Sequence, residues 1–309
     1  VKKRLTLAQA LMWILLSVFV ITLPSYSALK AYLKRQRQKA TDPMYTIVSL
    51  IQTGPQREAL HTDYLAELMG IAINRPQSVF HFDCKLAEKR LLSSPVIKEA
   101  YVETAAPSSV YVDYTVRQPL AWISDYTNTA IDEEKILFPV CPFFTPKKLP
   151  EIYLGLAPFE NPSNDPNISS GRWHAPLEGK KIQLAFDVLK LMVDSPSKEA
   201  FPIQRIDVSN AFSPSYGTRE IVVILEDEVF RKEGEKEITF VIPRFLRLST
   251  KNYAQELGNY LKLREELLQD ESKELVMSAV ATDRIVLAPK IIDFRISHLA
   301  FIEKTKKLQ

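Results

Sequence analysis

Val110-Tyr111-Val112-Asp113-Tyr114-Thr115-Val116-Arg117 alternates without a slip, with Val110, Val112, Tyr114 and Val116 on one side and Tyr111, Asp113, Thr115 and Arg117 on the other. A period of two is that of a β-strand with one buried face. The segment therefore predicts a strand over an apolar layer, and its neighbours in the chain must supply that layer. Across the turn at Pro107, residues 96–103 predict a second strand, with Val96, Ala100 and Val102 on one face. Before it, Asp83 suits the N-cap of a helix whose Leu86, Ala87, Arg90 and Leu91 share a side, and Ser93-Ser94-Pro95 ends that helix. Val79-Phe80-His81-Phe82 is a short extended piece leading into Asp83. Thr62 can cap an earlier helix carrying Tyr64, Leu65, Leu68 and Met69 on one face, with Gly70 as its left-handed stop. The β-branched content of Tyr45-Thr46-Ile47-Val48-Ser49-Leu50-Ile51, closed by Gly54-Pro55, predicts the first strand. The expected order is β-α-α-β-β, with two helices burying their stripes on one face of a three-stranded sheet.

Downstream, Trp122-Ile123 and Ile136-Leu137-Phe138 are expected to pair across a turn at Asp132–Lys135. Residues 180–193 predict a helix with Ile182, Ala185, Phe186, Leu189 and Val193 at helical spacing. Strands are expected at 203–208, 220–225 and 237–242, the last two joined across Gly234. Ser249 or Thr250 would cap a helix with Tyr253, Leu257, Tyr260, Leu261 and Leu268 as its inner stripe. Strands at 284–287, 290–296 and 298–301 would complete a largely antiparallel sheet, hence an α+β fold. The Pro-, Asn- and Ser-rich stretch from Asn161 to Gly171 is expected to be an exposed loop or insertion.

At the other end, Leu5 to Leu23 is one apolar stretch without a charge, preceded by Lys2-Lys3-Arg4 and followed by Lys30, Lys34, Arg35, Arg37 and Lys39. Its nineteen residues rise roughly 28 Å as a helix, close to the roughly 30 Å hydrocarbon core. Pro24 and Ser25 are expected to end the run, with Tyr26 and Tyr32 at headgroup level. The alternative is a cleaved signal peptide with Ser25-Tyr26-Ser27 as its small-residue site, although the apolar core is longer than such segments carry. Basic residues on both flanks, three before and five after, leave the orientation open to charge. No later apolar run is long enough for a second span.

Residues 1–41 hold eight Lys/Arg and no Asp/Glu, so residues 42–309 keep 32 basic against 37 acidic side chains, a net −5. The basic character belongs to the flanks of the apolar stretch, which would lie against anionic headgroups. No basic face or aromatic-basic repeat points to nucleic acid. Cys84 and Cys141 share no metal spacing and read as two lone buried thiols. His61, His81, His174 and His298 are scattered, and no GxSxG, GxGxxG, P-loop or HExxH pattern occurs. Asp132-Glu133-Glu134 and Glu226-Asp227-Glu228 read as turn acids and solvated strand ends rather than catalytic carboxylates. Ser93-Ser94 reads as a helix terminus, since no partner base is indicated. The residues therefore point to a binding role with no enzyme activity, cofactor, metal or small-molecule substrate. A tethered hydrolase would need a dry pocket with an acid-base pair of shifted pKa.

Three quoted stretches, in this order behind one anchor, carry a family resemblance. They are Ser78-Val79-Phe80-His81-Phe82-Asp83, then Leu91-Leu92-Ser93-Ser94-Pro95-Val96-Ile97-Lys98-Glu99-Ala100, then Val112-Asp113-Tyr114-Thr115-Val116-Arg117-Gln118-Pro119-Leu120-Ala121. Together they resemble a POTRA domain, specifically that of the FtsQ/DivIB bacterial cell-division proteins. Ile131-Asp132 with Leu137-Phe138-Pro139, Leu149-Pro150-Glu151-Ile152 and Ile292-Asp293-Phe294-Arg295 resemble later motifs of the same family. Gln118, Glu133-Glu134 and Ile296 depart from its pattern, the last standing where the family often has Tyr.

The resemblance implies an anchor with a cytoplasmic tail and basic flank over 1–41, a POTRA domain over 42–118, a mixed, mainly antiparallel distal β domain with two helices over 119–303, and a tail over 304–309. It implies a non-enzymatic scaffold of the divisome, single-pass in the bacterial inner membrane at the septum, its bulk extracytoplasmic. Partners would be FtsB/DivIC-type and FtsL-type coiled-coil proteins, captured by strand addition at the last strands. By position, that surface maps to Asp293, Arg295, Ile296, Ser297, His298, Leu299 and Phe301, with Arg219 as a further contact. Asp293 and Arg295 equally suit an intra-sheet ion pair. The alternative is a membrane-tethered POTRA adaptor in protein transport or envelope assembly; such proteins carry repeated POTRA units or a barrel, and no second β-α-α-β-β order follows residue 120.

Overall fold

Helix α1 (Leu7–Thr41) runs 35 residues with Pro24 inside it. Pro24 does not end the helix as its sequence position suggests. A proline deletes one backbone bond and crowds the preceding turn, but hydroxyls close to it bond back to the helix. Thr22 Oγ1 donates to the Val18 carbonyl at 2.8 Å, Ser25 Oγ to Ile21 at 2.7 Å and Ser27 Oγ to Pro24 at 2.9 Å. Within α1, Leu16–Arg35 is apolar and long enough to cross a membrane, with mean hydropathy 1.3 and none of it buried. The computed structural model describes residues 7–54, 58–72, 74–157, 173–194, 202–233, 236–274, 284–296 and 299–303. It divides into two compact units, Val1–Val116 and Arg117–Gln309.

In the first unit, β1 (Ser49–Thr53), α2 (Thr62–Met69), α3 (Cys84–Leu92), β2 (Ile97–Ala105) and β3 (Ser109–Val116) follow in order. The sheet order is β1-β3-β2, with β1 parallel and β2 antiparallel to β3. Val110, Val112, Tyr114 and Val116 are buried, as are Leu65, Met69, Ala87 and Leu91 of the helices. Asp83 caps α3, its carboxylate accepting the Leu86 N–H at 3.0 Å, and Gly70 closes α2 at φ +77°.

Four local expectations change. Residues 79–81 form a turn, the His81 N–H donating to the Ser78 carbonyl at 2.9 Å, rather than an extended piece. The first strand starts only at Ser49, because Pro43–Tyr45 forms a 3-10 turn and Tyr45 packs on the Phe80 ring at 4.9 Å. The N-cap of α2 is His61; Thr62 is already helical, and its hydroxyl accepts from Gln52 Nε2 at 3.2 Å. Leu86 of α3 faces solvent.

Among the described residues the second unit holds one sheet of ten strands. They are β4 (Ala121–Ile123), β5 (Thr129–Ile131), β6 (Leu137–Pro139), β7 (Glu151–Tyr153), β8 (Ile203–Asp207), β9 (Ile221–Glu233), β10 (Lys236–Leu248), β11 (Arg284–Val286), β12 (Lys290–Asp293) and β13 (Phe301–Glu303). Helix α4 (Lys180–Val193) lies between β7 and β8 in sequence, and α5 (Tyr253–Glu274) between β10 and β11. The spatial order is β13-β12-β10-β9-β8-β7-β4-β5-β6, with β11 also on β10.

The sheet is mixed and mainly antiparallel: β4/β7, β7/β8, β10/β11 and β10/β12 are parallel, and the other five pairings are antiparallel. For β7/β8 and for β10 with β11 and β12 the cause is connectivity, since a helical crossover returns the chain to the same end of the sheet and makes the flanking strands parallel; β4 and β7 are joined through β5 and β6 instead. β4 pairs with β5, not with residues 136–138, because the unforeseen strand 129–131 lies between them. Gly234 and residues 161–171 lie outside the described residues.

Ile182, Ala185, Val188, Leu189 and Met192 of α4 and Leu257 and Tyr260 of α5 pack with Ile152, Ile206, Ile221, Val223, Leu225, Leu246, Leu248 and Ile292 in a single core. Beside this apolar layer the C-terminal half of α5 meets the sheet through charge. Asp227 and Arg244 are fully buried and form an ion pair. Asp227 also accepts from Tyr260 Oη at 3.1 Å and Arg264 Nε at 2.8 Å. Arg244 donates to both oxygens of Glu271, at 3.1 and 2.7 Å, and Lys290 of β12 meets Glu271 at 2.6 Å. Neither Ser249 nor Thr250 is the N-cap of α5. The Asn252 carbonyl accepts the Glu256 N–H at 3.0 Å, while the Ser249 hydroxyl holds the Asn252 N–H at 3.0 Å and meets the Glu256 carboxylate at 2.6 Å.

Candidate protein-binding edge

β12 is held by β10 on one side and carries β13 on the other, with Asp293 opposite Phe301 and Ile292 opposite Ile302. β13 ends the sheet order, and all three of its residues are exposed. Ile296, Leu299 and Phe301 each leave more than half their surface open, at 55, 54 and 53 %, with Ile302 at 39 %. Burying a large aliphatic or aromatic side chain completely stabilises by roughly 1.5–3 kcal/mol. Covering the open half of these groups would therefore contribute on the order of 1 kcal/mol each.

A charged floor adjoins this apolar strip. Arg295 Nε donates to Asp293 at 3.0 and 3.1 Å and Nη2 at 2.7 Å, so the intra-sheet ion pair is present. Arg295 Nη1 also donates to the Gly217 carbonyl at 3.1 Å and lies 3.3 Å from Glu220. Arg247 joins Glu220 at 2.6 Å and Asp293 at 3.4 Å. Burial alone would raise the Asp293 carboxyl, but the bonds from Arg295 and the charge of Arg247 outweigh it and hold the group below its ordinary value. The Arg295 guanidinium is pushed up, first by its bond to Asp293.

Arg219 follows a 3-10 turn at Tyr216–Thr218 and precedes β9. Its guanidinium stacks 4.0 Å over the Tyr216 ring, and its Nε donates to the Ser213 carbonyl at 2.6 Å. Arg219, Tyr216, Asp293, Arg295 and Ile296 line one open groove of about 490 Å³ with the loop Ser249 to Asn252. Of the mapped residues, Arg219, Arg295 and Ile296 thus share a groove, Leu299 and Phe301 belong to the chain end that forms the edge, and Ser297 and His298 lie outside the described residues.

Tyr216, Glu220 and Arg247 were not singled out from sequence. Arg247 could have been found, since it is directly opposite Asp293 in β12 and lies out of phase with the buried Leu246 and Leu248. The acidic clusters also differ from expectation. Asp132 is buried on Arg117 at 2.7 Å, with Glu134 at 3.1 Å from the same guanidinium, and Asp227 lies in the core. Cys84 is half-buried and Cys141 exposed, both as free thiols. Among the described residues no three His, Cys, Asp or Glu converge on a metal position. Comparison with protein-family models gives no match, and comparison with curated proteins gives none either.

Proposed function

We propose that this chain is a non-enzymatic, membrane-anchored scaffold of the FtsQ/DivIB kind, serving the bacterial divisome. In this reading the first unit is a POTRA domain. The second captures FtsB/DivIC-type and FtsL-type single-span partners by strand addition to β13, and the bulk of the chain lies outside the cytoplasm at the septum. The observation that carries the proposal is the β13 edge, which no strand of the described residues covers: its backbone groups gain a ladder from an added strand, and exposed Ile296, Leu299, Phe301 and Ile302 supply apolar contact beside it. Natural sheets usually blunt such an edge with charge, so an apolar one suits an added strand. The apolar Leu16–Arg35 segment and the β-α-α-β-β order of the first unit support the anchor and POTRA parts of the reading.

The test is chemical cross-linking of the full chain in its host membrane, followed by identification of captured proteins. Ile296→Glu and Leu299→Lys are expected to leave the melting curve in place, because exposed substitutions usually stay within about 0.5 kcal/mol. Both should abolish recovery of small coiled-coil membrane proteins. Unchanged recovery from either folded variant would overturn the edge assignment.

A further inference from the structure

β12 is short and lies one strand from the edge, so its register needs support beyond its own backbone. Four residues pair it with β10 and three with β13. A slip by one residue would turn every side chain of such a strand to the opposite face. Helix α5 touches this segment at both ends. The Tyr260 ring meets Phe294 edge-on, with centroids 6.5 Å apart, and the Glu271 carboxylate meets Lys290 at 2.6 Å.

The Glu271 contact resolves a conflict of charge. Register sets Lys290 directly opposite Arg244, both in phase with the buried Ile292 and Leu246. Two cations directly opposite on one sheet face repel. The buried Glu271 carboxylate stands between them. Arg244 donates to both its oxygens, at 3.1 and 2.7 Å, and Lys290 reaches one of them. Asp227 is engaged by Arg244 and Arg264, and among the described residues Lys290 forms no ion pair besides that with Glu271. Apolar side chains could fill the same space at least as stably. The charged set adds a constraint that they lack, because Lys290 reaches Glu271 only while it faces α5.

We propose that Glu271 is a positioning residue for the β13 edge. By neutralising the two opposed cations it locks β12 on β10 in one register, and β12 in turn presents β13 with Phe301 opposite Asp293. Without that carboxylate β12 and β13 loosen together, while β8 and β9 stay in place. The inference takes its functional meaning from the edge reading given above, but the loosening itself is measured without a partner.

The experiment follows hydrogen exchange by mass spectrometry in the full chain, held in phosphatidylcholine bilayers. Glu271→Gln keeps the side-chain shape and removes the charge. Amides of residues 290–293 and 301–303 are expected to exchange at least about tenfold faster, relative to β8 in the same sample. Adding Lys290→Met removes one opposed cation and should restore their protection. Should Glu271→Gln alone fail to fold, the double variant must fold. Cross-linking in the host membrane then reads the consequence for binding. Glu271→Gln should lower recovery of small coiled-coil membrane proteins about tenfold, and the double variant should regain it. Ile296→Glu separates the two ideas, since it should lose those proteins with β12 protection intact. Recovery unaffected by Ile296→Glu, with exchange responding as above, would sink the edge reading and leave the positioning role standing. Faster exchange shared equally by β8, no restoration by Lys290→Met, or full recovery with Glu271→Gln where Ile296→Glu gives none would each overturn the positioning role.

Discussion

Asp227 is fully buried yet receives Arg244, Tyr260 and Arg264. Deleting one member of such a set leaves the others charged and unpaired, which costs about 3–5 kcal/mol, whereas a surface pair is worth at most about 1. Asp227→Ala is therefore expected to shift the urea midpoint of the second unit strongly, and Glu228→Ala hardly at all. Tyr260 adds a pH signature. Burial first, and the Asp227 charge second, raise its phenol far above the ordinary value. An unfolded tyrosine loses its proton near pH 10, so above that pH the folded chain holds a proton that the unfolded chain has released. Stability must then fall as pH rises. Tyr260→Phe should flatten that alkaline decline in denaturation midpoints measured from pH 9 to 11. The network was partly legible in the chain. Asp227 stands in phase with Ile221, Val223 and Leu225, and Arg244 with Leu246 and Leu248, so alternation assigns both to the core face. The partner Glu271 lies on a distant helix, and no local pattern announces it.

At the level of elements, turn chemistry predicts how α2 ends. Gly70 sits at φ +77°, where an added Cβ would collide with Nη1 of Arg90, the atom that donates to the Met69 carbonyl at 3.1 Å. Gly70→Ala is expected to cost at least about 1 kcal/mol, read as a lower melting temperature of residues 43–116. Elements with a strict period or a side-chain cap were readable from residues alone, as β3, α3 and α4 show. Those governed by distant neighbours were not. β5 is three buried residues, Thr129-Ala130-Ile131, too few to display any period. The parallel pairings of β10 with β11 and β12 depend on where α5 returns the chain, which propensity does not encode. Of the candidate site, the apolar strand end was legible from position. The groove was not, because the turn Tyr216–Thr218 and β12 meet only through the sheet.

For the molecule as a whole, charge is divided by region. With eight basic residues before position 42 and a net −5 after it, removing residues 1–41 should lower the isoelectric point from 8.6 to the acidic side. That truncated chain is expected to stay in the supernatant when sedimented with phosphatidylglycerol vesicles, while the full chain pellets even after a high-salt wash. Retention by salt-sensitive attraction alone would mean that Leu16–Arg35 does not insert. The unbroken course of α1 through Pro24 has a mechanical consequence. Its 35 residues extend about 52 Å, against about 30 Å of hydrocarbon. Roughly 20 Å of rod remains outside the oily layer. Tilting or twisting the embedded part then swings whatever the rod carries like a lever, where a flexible tether would dissipate the movement.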